Sequence, residues 1–145
     1  AAIRSRGNRT TELRLAAALR FFGLKGWRRH LPLPGRPDFA WPKERVAVFV
    51  DGCFWHGCPK CYRPPKHNAA FWREKIETNR RRDRRVARQL RADGWSVLRI
   101  WECKVAHPGT LTRIRRALGS PYPFLHICSS GNGFPWPSSG ERPVT

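Results

Sequence analysis

The spacing of apolar positions changes several times along this chain, and each change marks an element. Behind Thr10 and Thr11, either of which can cap a helix, Leu13, Ala16, Ala17 and Leu19 recur at helical spacing to about Leu24, with Gly23 and Gly26 closing the segment. Trp27 to Leu33 reads as a short extended piece and Pro34-Gly35-Arg36-Pro37 as a turn. Asp38-Phe39-Ala40-Trp41 then opens a strand, and Pro42-Lys43-Glu44-Arg45 forms a hairpin connection. Val46-Ala47-Val48-Phe49-Val50 is an unbroken apolar run, as expected of a central strand buried on both faces. It ends on Asp51 and Gly52.

An irregular stretch rich in Cys and Pro follows. The helical period returns from about Ala69 to Ala92, where Phe71, Ile76, Val86 and Leu90 form the expected inward stripe and Gly94 the stop. Trp95 to Trp101 predicts a second buried strand, and Pro108 to Leu118 a short final helix. This order predicts an α/β sandwich around a small mixed sheet. Residues 1–9 read as a basic arm. From Gly119 the chain is rich in Pro, Gly and Ser, so residues 1–118 are expected to form the domain and 119–145 a tail packed on it or extending from it.

Charge adds the partner. The 145 residues hold 29 Lys and Arg against 10 acids, a net +19, and that excess calls for a polyanion, nucleic acid first and an anionic membrane surface second. No apolar run is long enough to span a bilayer, and no secretory signal opens the chain. The first residue is Ala1 rather than Met, as in a processed, trimmed or truncated start.

Five cysteines are an odd number for a disulfide framework, and their clustering suits a metal in a reducing compartment. Cys53, Cys58 and Cys61 lie close together and Cys103 follows the last strand, a set that can close a tetrahedral zinc site; Cys128 is left as a free thiol. Between these ligands stand Asp51, Phe54, Trp55 and His56. Zinc is therefore expected to shape a loop whose other residues do chemistry.

Four constellations carry that chemistry. If the two strands beginning at Asp38 and ending at Asp51 form a hairpin, both carboxylates converge at one end of the sheet, where such a pair can hold Mg²⁺ for phosphodiester hydrolysis or simply be solvated. His56 is placed to accept a proton from a metal-bound water, or to serve as a further zinc ligand. Phe54, Trp55 and Trp72 can wedge between base steps, or pack as core. The basic helix, with few balancing acids (Glu74, Glu77, Asp83), suits phosphate contacts or a solvated face.

Taken in order, Pro34-Gly35-Arg36-Pro37-Asp38-Phe39, Asp51-Gly52-Cys53-Phe54-Trp55-His56-Gly57-Cys58, Phe71-Trp72 with Lys75 and Asn79, Arg82-Asp83, Gly94-Trp95 and Trp101-Glu102-Cys103 resemble the very-short-patch-repair (Vsr) mismatch endonucleases over roughly residues 4 to 105. The resemblance implies a restriction-endonuclease-like three-layer fold, structural zinc, and nicking of one DNA strand 5′ to the thymine of a T:G mismatch. It implies that Asp38 is the central Mg²⁺ ligand beside the Val50 carbonyl, that His56 contacts metal-bound water, and that Glu12 supports the site. Phe54, Trp55 and Trp72 would enter the duplex, and Cys53, Cys58, Cys61 and Cys103 would hold zinc. Arg36, Lys75, Asn79, Arg80 and Arg81 are the expected DNA contacts.

Two positions depart from the family pattern. A second histidine of the best-known members is Asp51 here, which is expected to join the metal directly or through water. In the zinc loop Cys58 replaces a histidine ligand, with one residue inserted before Cys61. Related homing endonucleases share the scaffold, so matched duplex DNA is the alternative target, and a catalytically silent zinc-stabilised DNA-binding module is another reading. The expected setting is the bacterial cytoplasm, on the nucleoid, as a monomer that works with mismatch-repair proteins.

Overall fold

The computed structural model describes residues 9–119; the basic arm before them, the tail beyond and Cys128 lie outside the described residues. The elements are α1 (Arg9–Phe21), β1 (Phe39–Trp41), β2 (Val46–Asp51), α2 (Ala69–Ala92), β3 (Ser96–Trp101), a 3-10 turn at Glu102–Lys104, and α3 (Pro108–Ala117). β1 and β2 form an antiparallel hairpin with Phe39 opposite Val48. β2 and β3 run parallel with Asp51 opposite Trp101, and α2 makes the crossover between them. The sheet is therefore small and mixed, as the element order requires. The extended piece from Trp27 touches it only through a bridge from Arg28 to Ala40.

Side chains alternate across β2, and each face has its own core. Val46 and Val48 pack with Phe39, Trp41 and Ile100 against Leu15, Ala18 and Leu19 of α1 and Leu111 and Ile114 of α3. Ala47 and Phe49 face the other way, onto Leu90 and Val86 of α2. Two helices thus cover one face and the long helix the other. Full burial of side chains such as Leu15, Leu19 and Leu90 stabilises the fold by roughly 1.5–3 kcal/mol each. The apolar run of β2 reads correctly as buried on both sides.

Three expectations need correction. Phe71 does not join the inward stripe of α2: it is 59% exposed, because it sits in the first turn, beyond the edge of the sheet that Leu90 reaches. β3 is not buried throughout, since it is an edge strand in which Ile100 alone is buried. The helix α1 begins at Arg9, so Thr10 and Thr11 lie inside its first turn rather than capping it, and the Thr11 hydroxyl instead donates to Glu102 at 3.3 Å. No described helix is long and apolar enough to cross a membrane.

Candidate active site

The hairpin and the parallel pair bring acids to one end of the sheet from both layers. Asp38 immediately precedes β1 and accepts the Val50 N–H at 2.7 Å. Glu12 reaches the same place from α1, buried, paired with Arg29 and 3.6 Å from His30 Nε2. Asp51 closes β2 on the face that α2 covers. Burial lifts the Asp38 carboxyl; the Val50 N–H opposes it, the nearby Glu12 and Asp51 charges add to it, and the result is about 7. Among the described residues no Lys, Arg or His forms an ion pair with Asp38. A desolvated acid among acids, without a basic partner, is where a bound cation relieves most repulsion. The donor set is all oxygen, which suits Mg²⁺.

Opposite Asp38, across the end of the sheet, a second group forms around Arg99 of β3. Its Nε and Nη2 donate to the two oxygens of Asp51 at 2.7 Å each, and Nη2 lies 3.2 Å from Asp83 of α2. Asp83 in turn meets His56 Nδ1 at 2.5 Å. Burial works to raise the Asp83 carboxyl, but the His56 hydrogen bond and the Arg99 charge outweigh it and hold the group below the usual carboxylate range. Burial likewise disfavours the Arg99 cation, and the Asp51 and Asp83 carboxylates reverse that, so its pKa lies above the ordinary value. These residues, with Arg80, Arg84 and Trp101, line an open cleft of about 220 Å³. With Nδ1 engaged by Asp83, the His56 Nε2 is left for a ligand.

The loop between β2 and α2 is fixed from several sides. The sulfurs of Cys53, Cys58, Cys61 and Cys103 all lie within 4.8 Å of one another. Cys58 Sγ and Cys103 Sγ are 3.9 Å apart, close to the roughly 3.8 Å edge of a tetrahedron with Zn–S bonds of about 2.3 Å. Burial pushes the Cys58 thiol up, yet the N–H groups of Cys61 and Lys60 and the neighbouring thiols bring it down to about 7. The donor set and spacing fit zinc. Glu102 accepts from the Cys53 N–H at 3.3 Å and so ties the loop to Thr11 of α1.

From α2, Asn79 donates to the Trp55 carbonyl at 2.8 Å, and Arg80 to the Gly57 carbonyl at 2.7 Å and the His56 carbonyl at 3.2 Å. At Gly57 φ is +65°, and a Cβ would stand 2.6 Å from Arg80 Nη2 and 2.9 Å from Ile76. Only glycine fits there.

Above the loop Phe54, Trp55 and Trp72 form one aromatic cluster, with ring centroids 5.3 Å apart for Phe54–Trp55 and Phe54–Trp72 and 6.0 Å for Trp55–Trp72. The exposed Phe71 ring continues it, 5.3 Å from Trp72. All three expected wedge residues are half-buried, which leaves part of each ring in solvent. Of the expected DNA contacts, Arg36, Lys75 and Arg81 are exposed, while Asn79 and Arg80 hold loop carbonyls.

Comparison with known proteins agrees with this arrangement. The model of the family "DNA mismatch endonuclease Vsr" matches residues 1–63. The "Type II nicking enzyme V.NmeDIP" of Neisseria meningitidis serogroup C is 42% identical over 111 residues, covering 74% of this chain and 75% of that protein. The chain belongs to the Vsr family. The "DNA mismatch endonuclease Vsr" of Escherichia coli is 43% identical over 103 residues, 70% of this chain and 65% of that protein. The "Type II nicking enzyme V.XorIIP" of Xanthomonas oryzae is 44% identical over 89 residues, 59% of this chain and 65% of that protein. The chain thus spans just under two thirds of the length of these last two relatives.

Within this Vsr-family site, the structure places Glu12 and Asp51 near Asp38, and His56 beside Asp51 and Asp83. Sequence reasoning brought Asp38 and Asp51 to one end of the sheet and took Glu12 from the family resemblance. It missed Arg99, and it quoted Asp83 and Glu102 without giving them a task. A signal for Arg99 existed: it is the one charged residue inside Val97-Leu98-Arg99-Ile100, and alternation places it on the face of Asp51. Asp83 was hidden inside a charge run.

Proposed function

We propose that this protein is a Mg²⁺-dependent DNA nickase that cuts one strand 5′ to the thymine of a T:G mismatch. The observation that carries the reading is Asp38, a half-buried carboxylate at the sheet end raised by burial and by nearby acids, with His56 held by Asp83 on the cysteine-rich loop. Family membership supports it, and so does the word "nicking" in the names of two of its relatives. The family implies the restriction-endonuclease-like fold, with which two helices on one face of a mixed sheet and one on the other are compatible.

Asp38 would hold the ion, with the Val50 carbonyl beside it and Glu12, fixed by Arg29, next to the pocket. A bound Mg²⁺ would polarise the scissile phosphate and stabilise charge on the leaving oxygen. His56, oriented by Asp83 through Nδ1, uses Nε2 to align the attacking water and take its proton. Asp51, with both oxygens on Arg99, contributes charge across a water. Phe54, Trp55 and Trp72 enter the duplex beside the mismatch, where a mispaired step is easier to unstack. Arg36, Lys75 and Arg81 take backbone phosphates, and Asn79 and Arg80 act on DNA through the loop they hold. The protein works as a monomer on DNA in the bacterial cytoplasm.

The test is a nicking assay with Mg²⁺ on end-labelled duplexes carrying T:G in several flanking contexts, beside T:A and C:G controls. A single cut 5′ to the mismatched thymine, absent from the controls, is expected. Cleavage of the matched duplexes would assign the chain to the homing or restriction type. Tight binding without any cut, in every context, would leave a DNA-binding scaffold.

A further inference from the structure

Arg99 sits where its surroundings could otherwise hold an ion. Ligand atoms of Asp51, His56 and Asp83 all lie within 4.8 Å of one another, the geometry of a possible metal site. The Arg99 guanidinium occupies that group: it bonds both oxygens of Asp51 at 2.7 Å and lies 3.2 Å from Asp83, which holds His56. Its own plane is fixed from below by the Phe49 ring, 4.7 Å away. Phe49 is the direct register partner of Arg99, so the strands themselves aim the guanidinium. Its Nη1 is buried with no hydrogen-bond partner. An arginine kept only to satisfy hydrogen bonds would be matched along both edges. Here the retained property is charge.

We propose that Arg99 is the resident cation of the Asp51–Asp83–His56 half of the cleft, filling the place of a second divalent ion, so that the site takes one exchangeable metal ion, at Asp38. This rests on the metal-dependent reading above. The physical basis is direct. A guanidinium bonded to both oxygens of Asp51 takes the lone pairs a metal would bind best, and a divalent ion beside it would be strongly repelled. Arg80 and Arg84 line the same cleft and act in the same direction, although Arg80 is held on loop carbonyls and Arg84 on Glu77 at 2.9 Å. Across the end of the sheet Arg29 pairs with Glu12, but among the described residues Asp38 itself has no ion-pair partner and keeps its oxygens for an ion. Arg99 is therefore a positioning residue: it sets the number of ions and holds Asp83 against His56.

The experiment counts Mn²⁺ on the zinc-loaded full chain without DNA, by titration calorimetry and by the electron paramagnetic resonance of free Mn²⁺. Wild type is expected to bind one Mn²⁺. Arg99→Met is expected to gain a second, with affinity for that ion on the order of tenfold or more above any residual second-site binding in wild type. Arg99→Lys keeps a positive charge and is expected to stay at one. Two ions on wild type, or one on a folded Arg99→Met chain, would overturn the proposal; so would a second ion on Arg99→Lys. If Arg99→Met fails to fold, Arg99→Gln, which also removes the charge but keeps a polar side chain, takes its place under the same expectation. A wild-type chain that binds one Mn²⁺ but nicks no DNA would fail the proposed function and leave this inference standing.

Discussion

At Asp38 function and stability pull in opposite directions. Its carboxyl titrates at about 7 in the folded protein against an ordinary 3.8. A folded pKa above the unfolded one means that this group's contribution is fully present below about pH 4 and is lost as pH rises through about 7. In magnesium-free buffer at pH 8, Asp38→Asn is therefore expected to be more stable than wild type, by roughly 1–3 kcal/mol, because it removes a charge that burial and two acids oppose. The gain should vanish near pH 4. The same variant should lose nicking by on the order of a thousandfold or more while still binding DNA. Thermal melts across pH, read beside the nicking assay, check both halves; an active Asp38→Asn enzyme would remove Asp38 from the mechanism. The sequence showed this acid by its place at the strand start. The hairpin also brought Asp51 to the same end, but only the family resemblance pointed to Glu12. Neither showed how far burial and these two charges would raise Asp38, because that depends on the packing of separate elements.

The elements differ in how well periodicity described them. β2 was fully legible, since a strand between two layers needs apolar side chains on both faces. α2 was legible in extent but not in facing. A helix of 24 residues outruns a sheet of three short strands, so its first turns project past the core. Phe71 looked like core by spacing, yet it stands 59% exposed, whereas Leu90, near the other end, is fully buried. Phe71→Ser is accordingly expected to change stability by no more than about 0.5 kcal/mol, and Leu90→Ala to lower it by about 2–4 kcal/mol. Denaturant unfolding of the two variants tests this. Equal losses would mean that the N-terminal turns of α2 pack against something other than solvent. The arginine-rich run in the same helix read as a phosphate-binding face, and Arg81, Arg82, Arg84 and Arg85 of it are exposed. Asn79 and Arg80, however, point at loop carbonyls, and no charge pattern distinguishes a side chain that meets solvent from one that meets a loop folded back over it.

On the scale of the whole molecule, a cluster of four cysteines that could hold a metal, a small sheet and the long helix combine to hold one loop over one end of the sheet. Three of these cysteines lie in that loop and the fourth, Cys103, follows β3, so a bound metal would join the loop to the sheet. Stripping zinc with a strong chelator and returning the chain to excess Mg²⁺ should abolish nicking and flatten the near-ultraviolet circular dichroism of Trp55 and Trp72, while most helix content remains. A zinc-free enzyme with full activity and unchanged tryptophan signals would refute that role. Sequence alone determined the kind of molecule: the buried strand, the long basic helix, the cysteine spacing and the +19 charge follow from local chemistry that no partner can alter. Tertiary structure decided the pairings. Arg99 meets Asp51 only because β3 lies parallel to β2 in this register, and Asp83 meets His56 only because α2 crosses back over the loop. Such contacts join residues 27 and 48 positions apart, and their energy depends on a geometry that exists only after the chain has folded.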